Sequence, residues 1–215
     1  MTLTLRKKIL IGIAAALLVG LGLYLTQDTW VPDPANISYN DKNFSFTYPR
    51  EFKIQEFARG TVIVGDKQSD IFNPLVEVML YQSDPDAALP ATFDAYMNRQ
   101  ALALCGSDSV EKITCSDVIA TPYTNAQGLL GQQLSLTLTR ENLETGTTTT
   151  ETFGPLYVFN TTRFVADPAD TFRYRAIFVY PSFASVVGAN TSPALLTHIL
   201  DSLTIPGGIS TVTSR

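Results

Sequence analysis

The chain has 215 residues, 45% of them hydrophobic and 16% charged, with 2 Cys and 1 His. It is too apolar for a disordered polymer and has the length of one compact core; so few Cys and His leave no ligand set for the common zinc sites and only His198 to relay a proton in a catalytic triad. A net charge of −5 provides no basic footprint for a phosphate backbone, which argues against nucleic acid as a partner.

The amino terminus differs from everything after it. Arg6, Lys7 and Lys8 precede an uncharged run of 17 residues from Ile9 to Leu25, and the next charge is Asp28. A helix of that length rises about 25 Å, which with flanking residues approaches the ~30 Å hydrocarbon layer. This layout predicts a cytoplasmic basic segment over 1–8 and a membrane anchor over 9–27, with a cleaved secretory signal as the alternative. Basic side chains beside a span stay on the cytoplasmic side, so Arg6, Lys7 and Lys8 set the topology and the carboxyl-terminal part lies outside the cell membrane. Removing those three from the 15 basic side chains leaves 12 against 20 acidic ones, a net charge of −8 that suits solubility and disfavours anionic lipid.

Residues 28–36 carry Pro32 and Pro34 without apolar periodicity and read as an extended linker to a domain over 37–206. Phe44, Phe46 and Tyr48 alternate with Ser45 and Thr47 until Pro49; Phe52 to Phe57, Thr61 to Gly65 and Leu75 to Gln82 follow as further strands. A helical period then takes over, with Thr92 as N-cap and Phe93, Tyr96, Met97, Gln100, Ala101 and Leu104 on one stripe. Cys105 and Cys115 flank a turn-forming stretch containing Gly106, Ser107, Asp108 and Ser109, and outside the membrane the compartment is oxidising, so a Cys105–Cys115 disulfide is expected.

Beyond it, Val118 to Tyr123 reads as extended, and Gln133 to Thr139 places Leu134, Leu136 and Leu138 inward against Ser135, Thr137 and Thr139. Glu141 to Gly146 turns the chain. Thr147 to Phe153 and Leu156 to Asn160 are two β-prone pieces, the threonine run being read as a partly exposed edge or hairpin. Arg173 to Tyr180 is a strand near the middle of the sheet. Ser192 and Pro193 combine an N-cap hydroxyl with proline at the first helical position, and Leu195, Leu196, Ile199, Leu200 and Leu203 form the buried stripe of a closing helix. Pro206 ends the fold before a flexible tail over 207–215. Strands in runs, with one helix after the first group and one at the end, predict an α+β domain: an antiparallel β-sheet packed against helices.

Phe44-Ser45-Phe46-Thr47-Tyr48-Pro49 followed by Phe52, the helix with Phe93 and Tyr96, and the closing run from His198 to Ile205 together resemble the PsbP/Mog1/DcrB-like superfamily. Asn43 stands where that family has glycine before the aromatic run, and Phe52 where it has Trp. The resemblance covers residues 37–206 and implies an α/β sandwich serving as an accessory or interaction domain, with no shared catalytic residues to transfer.

Chemistry-bearing patterns are sparse. The serine-hydrolase elbow and the phosphate-cradling and dinucleotide glycine patterns are absent, so no catalytic residue, metal ligand or cofactor is expected and the chain is read as non-enzymatic. Asp84 and Asp86, Asp167 and Asp170, and Asp66 and Asp70 are acidic pairs in turns, short of the alternating oxygens and glycine of a calcium loop. The expected function is a membrane-anchored extracytoplasmic accessory domain that engages an envelope or surface protein; the alternative is a small-ligand or calcium-binding envelope module.

Overall fold

The computed structural model describes residues 35–57, 60–68, 71–84, 88–105, 111–162, 173–182 and 192–206. The chain divides into two compact units, Met1–Asn36 and Ile37–Arg215, and all the described residues but the first two belong to the second. The leader over 1–27, its basic residues Arg6, Lys7 and Lys8, most of the linker and the tail lie outside the described residues.

Among the described residues, nine strands and two helices follow in order: β1 (Asn36–Asn40), β2 (Ser45–Pro49), β3 (Lys53–Phe57), β4 (Thr61–Gln68), β5 (Ile71–Gln82), α1 (Phe93–Ala103), β6 (Glu111–Thr124), β7 (Leu130–Asn142), β8 (Thr148–Asn160), β9 (Arg175–Pro181) and α2 (Pro193–Ser202). β1 and β2 form a two-stranded hairpin, and the other seven strands form one sheet in the order β3-β4-β5-β9-β8-β7-β6, with every neighbouring pair antiparallel. The α+β expectation of an antiparallel sheet packed against helices holds.

Alternation along each strand divides the apolar residues between two cores on opposite faces. On one, here the hairpin face, Val62, Val64, Val76, Val78, Ile177, Val179 and Phe159 meet Phe44, Phe46 and Tyr48 of β2 and Leu195, Leu196, Ile199 and Leu200 of α2. On the other, the α1 face, Leu134, Leu136 and Leu138 of β7 meet Phe153, Leu156, Val158, Ala176 and Phe178 and the Tyr96, Met97 and Ala101 stripe of α1. Full burial of each such leucine contributes about 2 kcal/mol relative to exposure. β9 is central, as its sequence implied, and every one of its residues is buried because it serves both cores.

Three expectations are revised. Ser192 precedes α2 and its carbonyl accepts the Leu196 N–H at 3.0 Å, but its hydroxyl makes no capping bond, so proline at the first helical position is what marks this start. Thr92, by contrast, caps α1 as expected, its hydroxyl accepting from Ala95 N–H at 3.2 Å. Secondly, the pieces on either side of Gly154-Pro155 are one strand, β8, whose register against β7 slips between Leu134 and Leu136 to accommodate the extra residue. Finally, β6 starts at Glu111, well before Val118, so that Cys115 sits in the strand; an edge strand whose outward positions are polar shows no apolar alternation to mark its beginning.

Candidate functional surface

Cys105 and Cys115 are joined, as their spacing implied, with Cα atoms 5.9 Å apart. Cys105 follows the C-cap of α1 and Cys115 lies in edge strand β6, so the bond fastens the end of the helix to the strand it packs against.

His198 is half-buried on α2, with Nε2 3.1 Å from the Thr47 hydroxyl of β2. One turn on, Ser202 Oγ accepts from Thr47 N–H at 2.9 Å and donates to the His198 carbonyl at 2.9 Å. A hydrolytic relay needs a nucleophile before the ring and a carboxylate behind it. Here the ring meets a threonine hydroxyl, and these bonds fasten α2 to β2, continued by the paired backbones of Ser45 and Thr204.

A second polar group lies on the α1 face. Tyr180 donates to Glu77 Oε2 at 2.9 Å and Ser182 donates to Glu77 Oε1 at 2.7 Å, so both carboxylate oxygens are occupied. Burial, reinforced by the Glu77 charge, raises the Tyr180 phenol far above its usual range. Burial chiefly, then Glu77 and Tyr96, pushes Tyr81 up to about 12. Both phenols therefore stay neutral at physiological pH, and Tyr180 donates to the half-buried Glu77 carboxylate.

Among the described residues, no group of three or more His, Cys, Asp and Glu is placed to hold a metal ion. Asp66 and Asp84 are described; Asp70, Asp86, Asp167 and Asp170 lie outside the described residues. No helix among the described residues is long and apolar enough to cross a membrane.

A patterned surface lies on the hairpin face, where β8 runs beyond its pairing with β9 and, among the described residues, only β6, β7 and β8 continue as a three-stranded arm. Its α1 face is core. Its opposite face is open, and cross-strand register lines up hydroxyls there: Thr114, Thr139 and Thr150 form one row and Ser116, Thr137 and Thr152 the next. Rows with Ile119 beside Ser135, and with Thr121, Gln133 and Tyr157, follow toward α2. Thr114, Ser116, Thr150 and Thr152 are exposed, and the central Thr137 and Thr139 are half-exposed between them. No charged side chain occupies these rows. At the rim, Lys112 pairs with Glu141 at 3.8 Å, and Asp117, in a bulge with φ of 53°, accepts from Ser116 Oγ at 2.9 Å.

At the α2 end of this face, Tyr123 and Tyr157 are half-exposed with ring centroids 4.5 Å apart. Burial raises both phenols above their usual range, with Tyr157 and Asp201 adding to the shift at Tyr123, so both rings are neutral at physiological pH beside the exposed Asp201 carboxylate. The sequence marked the threonine run as a partly exposed edge or hairpin, which its exposure matches. It held no signal that Thr114, Thr139 and Thr150 are neighbours, because that depends on strand register.

No protein-family model matches the chain, and no curated protein matches it.

Proposed function

We propose that this chain is a PsbP-like accessory domain, without catalytic chemistry of its own, held by an amino-terminal anchor on the outer side of a cell membrane, where it engages an envelope or surface protein. The observation that carries the location is the conjunction of the Arg6-Lys7-Lys8 start and uncharged run with a disulfide between the chain's 2 cysteines. Such bonds persist in oxidising compartments and are rare in the cytosol, while the basic flank retains the amino terminus inside. The antiparallel sheet with helices on both faces supports the family reading. Binding rather than catalysis is supported by the described histidine and the half-buried Glu77 carboxylate, whose hydrogen bonds serve the fold.

The test is topological. Protease added to intact cells or spheroplasts should digest the acidic domain and spare a basic amino-terminal fragment, and crosslinking in those cells should attach a second envelope protein reproducibly. A domain protected from protease, with both sulfurs alkylatable without reductant, would overturn the location. Correct topology without any reproducible protein adduct would overturn the protein-partner reading.

A further inference from the structure

We infer that the open hydroxyl face of β6, β7 and β8 binds a neutral polyhydroxyl chain, a glycan, with the half-exposed ring of Tyr157 stacking on a sugar at one end. The inference rests on the reading of this chain as a binding domain outside the membrane. It adds a ligand class and a site.

Charge narrows the ligand first. The part of the chain beyond the basic start carries −8, yet the rows of this face hold no ionised group, and the Lys112–Glu141 pair, Asp117 and, beside Tyr123, Asp201 stand only at its rim. An anionic lipid, a nucleic acid or a metal ion would find no countercharge there. Side-chain chemistry narrows it further, because protein-binding patches concentrate aromatic residues, Met and Arg at a desolvated centre and are depleted in serine. The centre here is Thr137 and Thr139, flanked by Ser116 and Thr150.

A hydroxyl both donates and accepts, so an array of them matches the hydroxyls of a sugar in either sense. Strands about 4.8 Å apart, and same-face residues about 6.8 Å apart along each strand, present partners at sub-nanometre spacing in two directions. Sheet twist of about 20–25° per strand turns successive columns away from a plane, which favours a chain able to follow the surface over a rigid flat lattice. The Tyr157 ring, in row with Gln133 and Thr121, ends the array with an apolar face beside an amide.

The experiment titrates the full chain in detergent with three soluble neutral probes, cellohexaose, laminarihexaose and maltohexaose, and reads backbone amide shifts and heat. The expected result is saturable binding of at least one probe with shifts confined to β6, β7 and β8. Thr137→Arg with Thr139→Arg should weaken it at least about tenfold, the loss of one or two hydrogen bonds, at an unchanged number of folded amide signals. Since arginines on a central strand can unfold the arm, Thr150→Lys with Thr152→Lys on β8 is a second pair expected to act alike. Absence of saturable binding with all three probes, or binding unaffected by either folded pair, overturns the inference. If protein crosslinking in intact cells persists in that case, the interaction-domain reading stands without it. If instead both folded pairs abolish the protein adduct and no probe binds, the face is a protein-docking site and the inference is wrong.

Discussion

Asn125 illustrates how much one buried amide holds together. It sits in the turn between β6 and β7, 5% exposed, and its Nδ2 donates to the carbonyls of Leu200 at 3.0 Å and Leu203 at 2.9 Å at the end of α2, where Leu200 also accepts the Leu203 N–H at 3.3 Å. Its Oδ1 accepts from the N–H groups of Gln127 at 3.1 Å and Leu129 at 2.8 Å. Asn125→Ala removes all four bonds and leaves the Leu203 carbonyl and the buried Leu129 N–H without this partner, so a destabilisation of about 2–3 kcal/mol is expected in urea unfolding, more than a typical surface substitution. In the sequence, Asn125 belongs to a turn composition, Asn-Ala-Gln-Gly, and nothing local reveals that its partners lie on the last helix. Tyr81 makes a pH-dependent prediction. Its folded pKa of about 12 lies above the ordinary value of 10.0, so its stabilising contribution is complete below pH 10 and disappears as pH rises toward 12. Thermal melting should fall over that window, and Tyr81→Phe should flatten the fall without changing its sign, since Tyr180 is also raised.

Among the elements, β6 is the one whose placement matters most, since it is the sheet edge, carries one side of the open face and is bonded to α1. The disulfide closes a short loop with a sequence separation of 10, and Cys105→Ser with Cys115→Ser should cost about 2–3 kcal/mol in denaturant melts. The same loss should appear on adding dithiothreitol to the unaltered chain. Within β7, Gly131 lies between Tyr123 and Phe159 on adjacent strands, and those rings reach one another across it, centroids 6.1 Å apart. A Cβ there would press within 2.7 Å of Phe159 Cδ1. Gly131→Val is therefore expected to destabilise by about 1–3 kcal/mol through overpacking, and to move the side-chain NMR signals of Tyr123 and Phe159. The alternation of Leu134, Leu136 and Leu138 was plain from sequence, because β7 has one face in the core and one open. The Glu111–Ser116 stretch of β6 was not, because only Ile113 of it is buried.

Taken whole, the described domain is a sheet with a core on each side, and β9 is the wall they share. Ile177 faces the hairpin side and Phe178 the α1 side, both with no exposed surface. Ile177→Ala should cost about 2–5 kcal/mol and Phe178→Ala about 3–5 kcal/mol. If β9 couples the cores, each variant still unfolds in a single transition that aromatic circular dichroism and far-ultraviolet signal report at the same denaturant concentration. Separate transitions for the two probes would show that the faces melt independently.

The sequence by itself determined what depends on residues close together in the chain: alternating strands, the Thr92 cap, the proline start of α2, the disulfide between nearby cysteines and the antiparallel α+β class. Burial of one face imposes a period on neighbouring residues, and that period is visible locally. Tertiary structure alone decided which strands are neighbours, that β9 lies between β5 and β8, and that threonines from β6, β7 and β8 share rows on an open face. Those relations come from backbone hydrogen bonds between distant segments, whose donors and acceptors are alike at nearly every residue; what selects among them is how well the resulting faces pack.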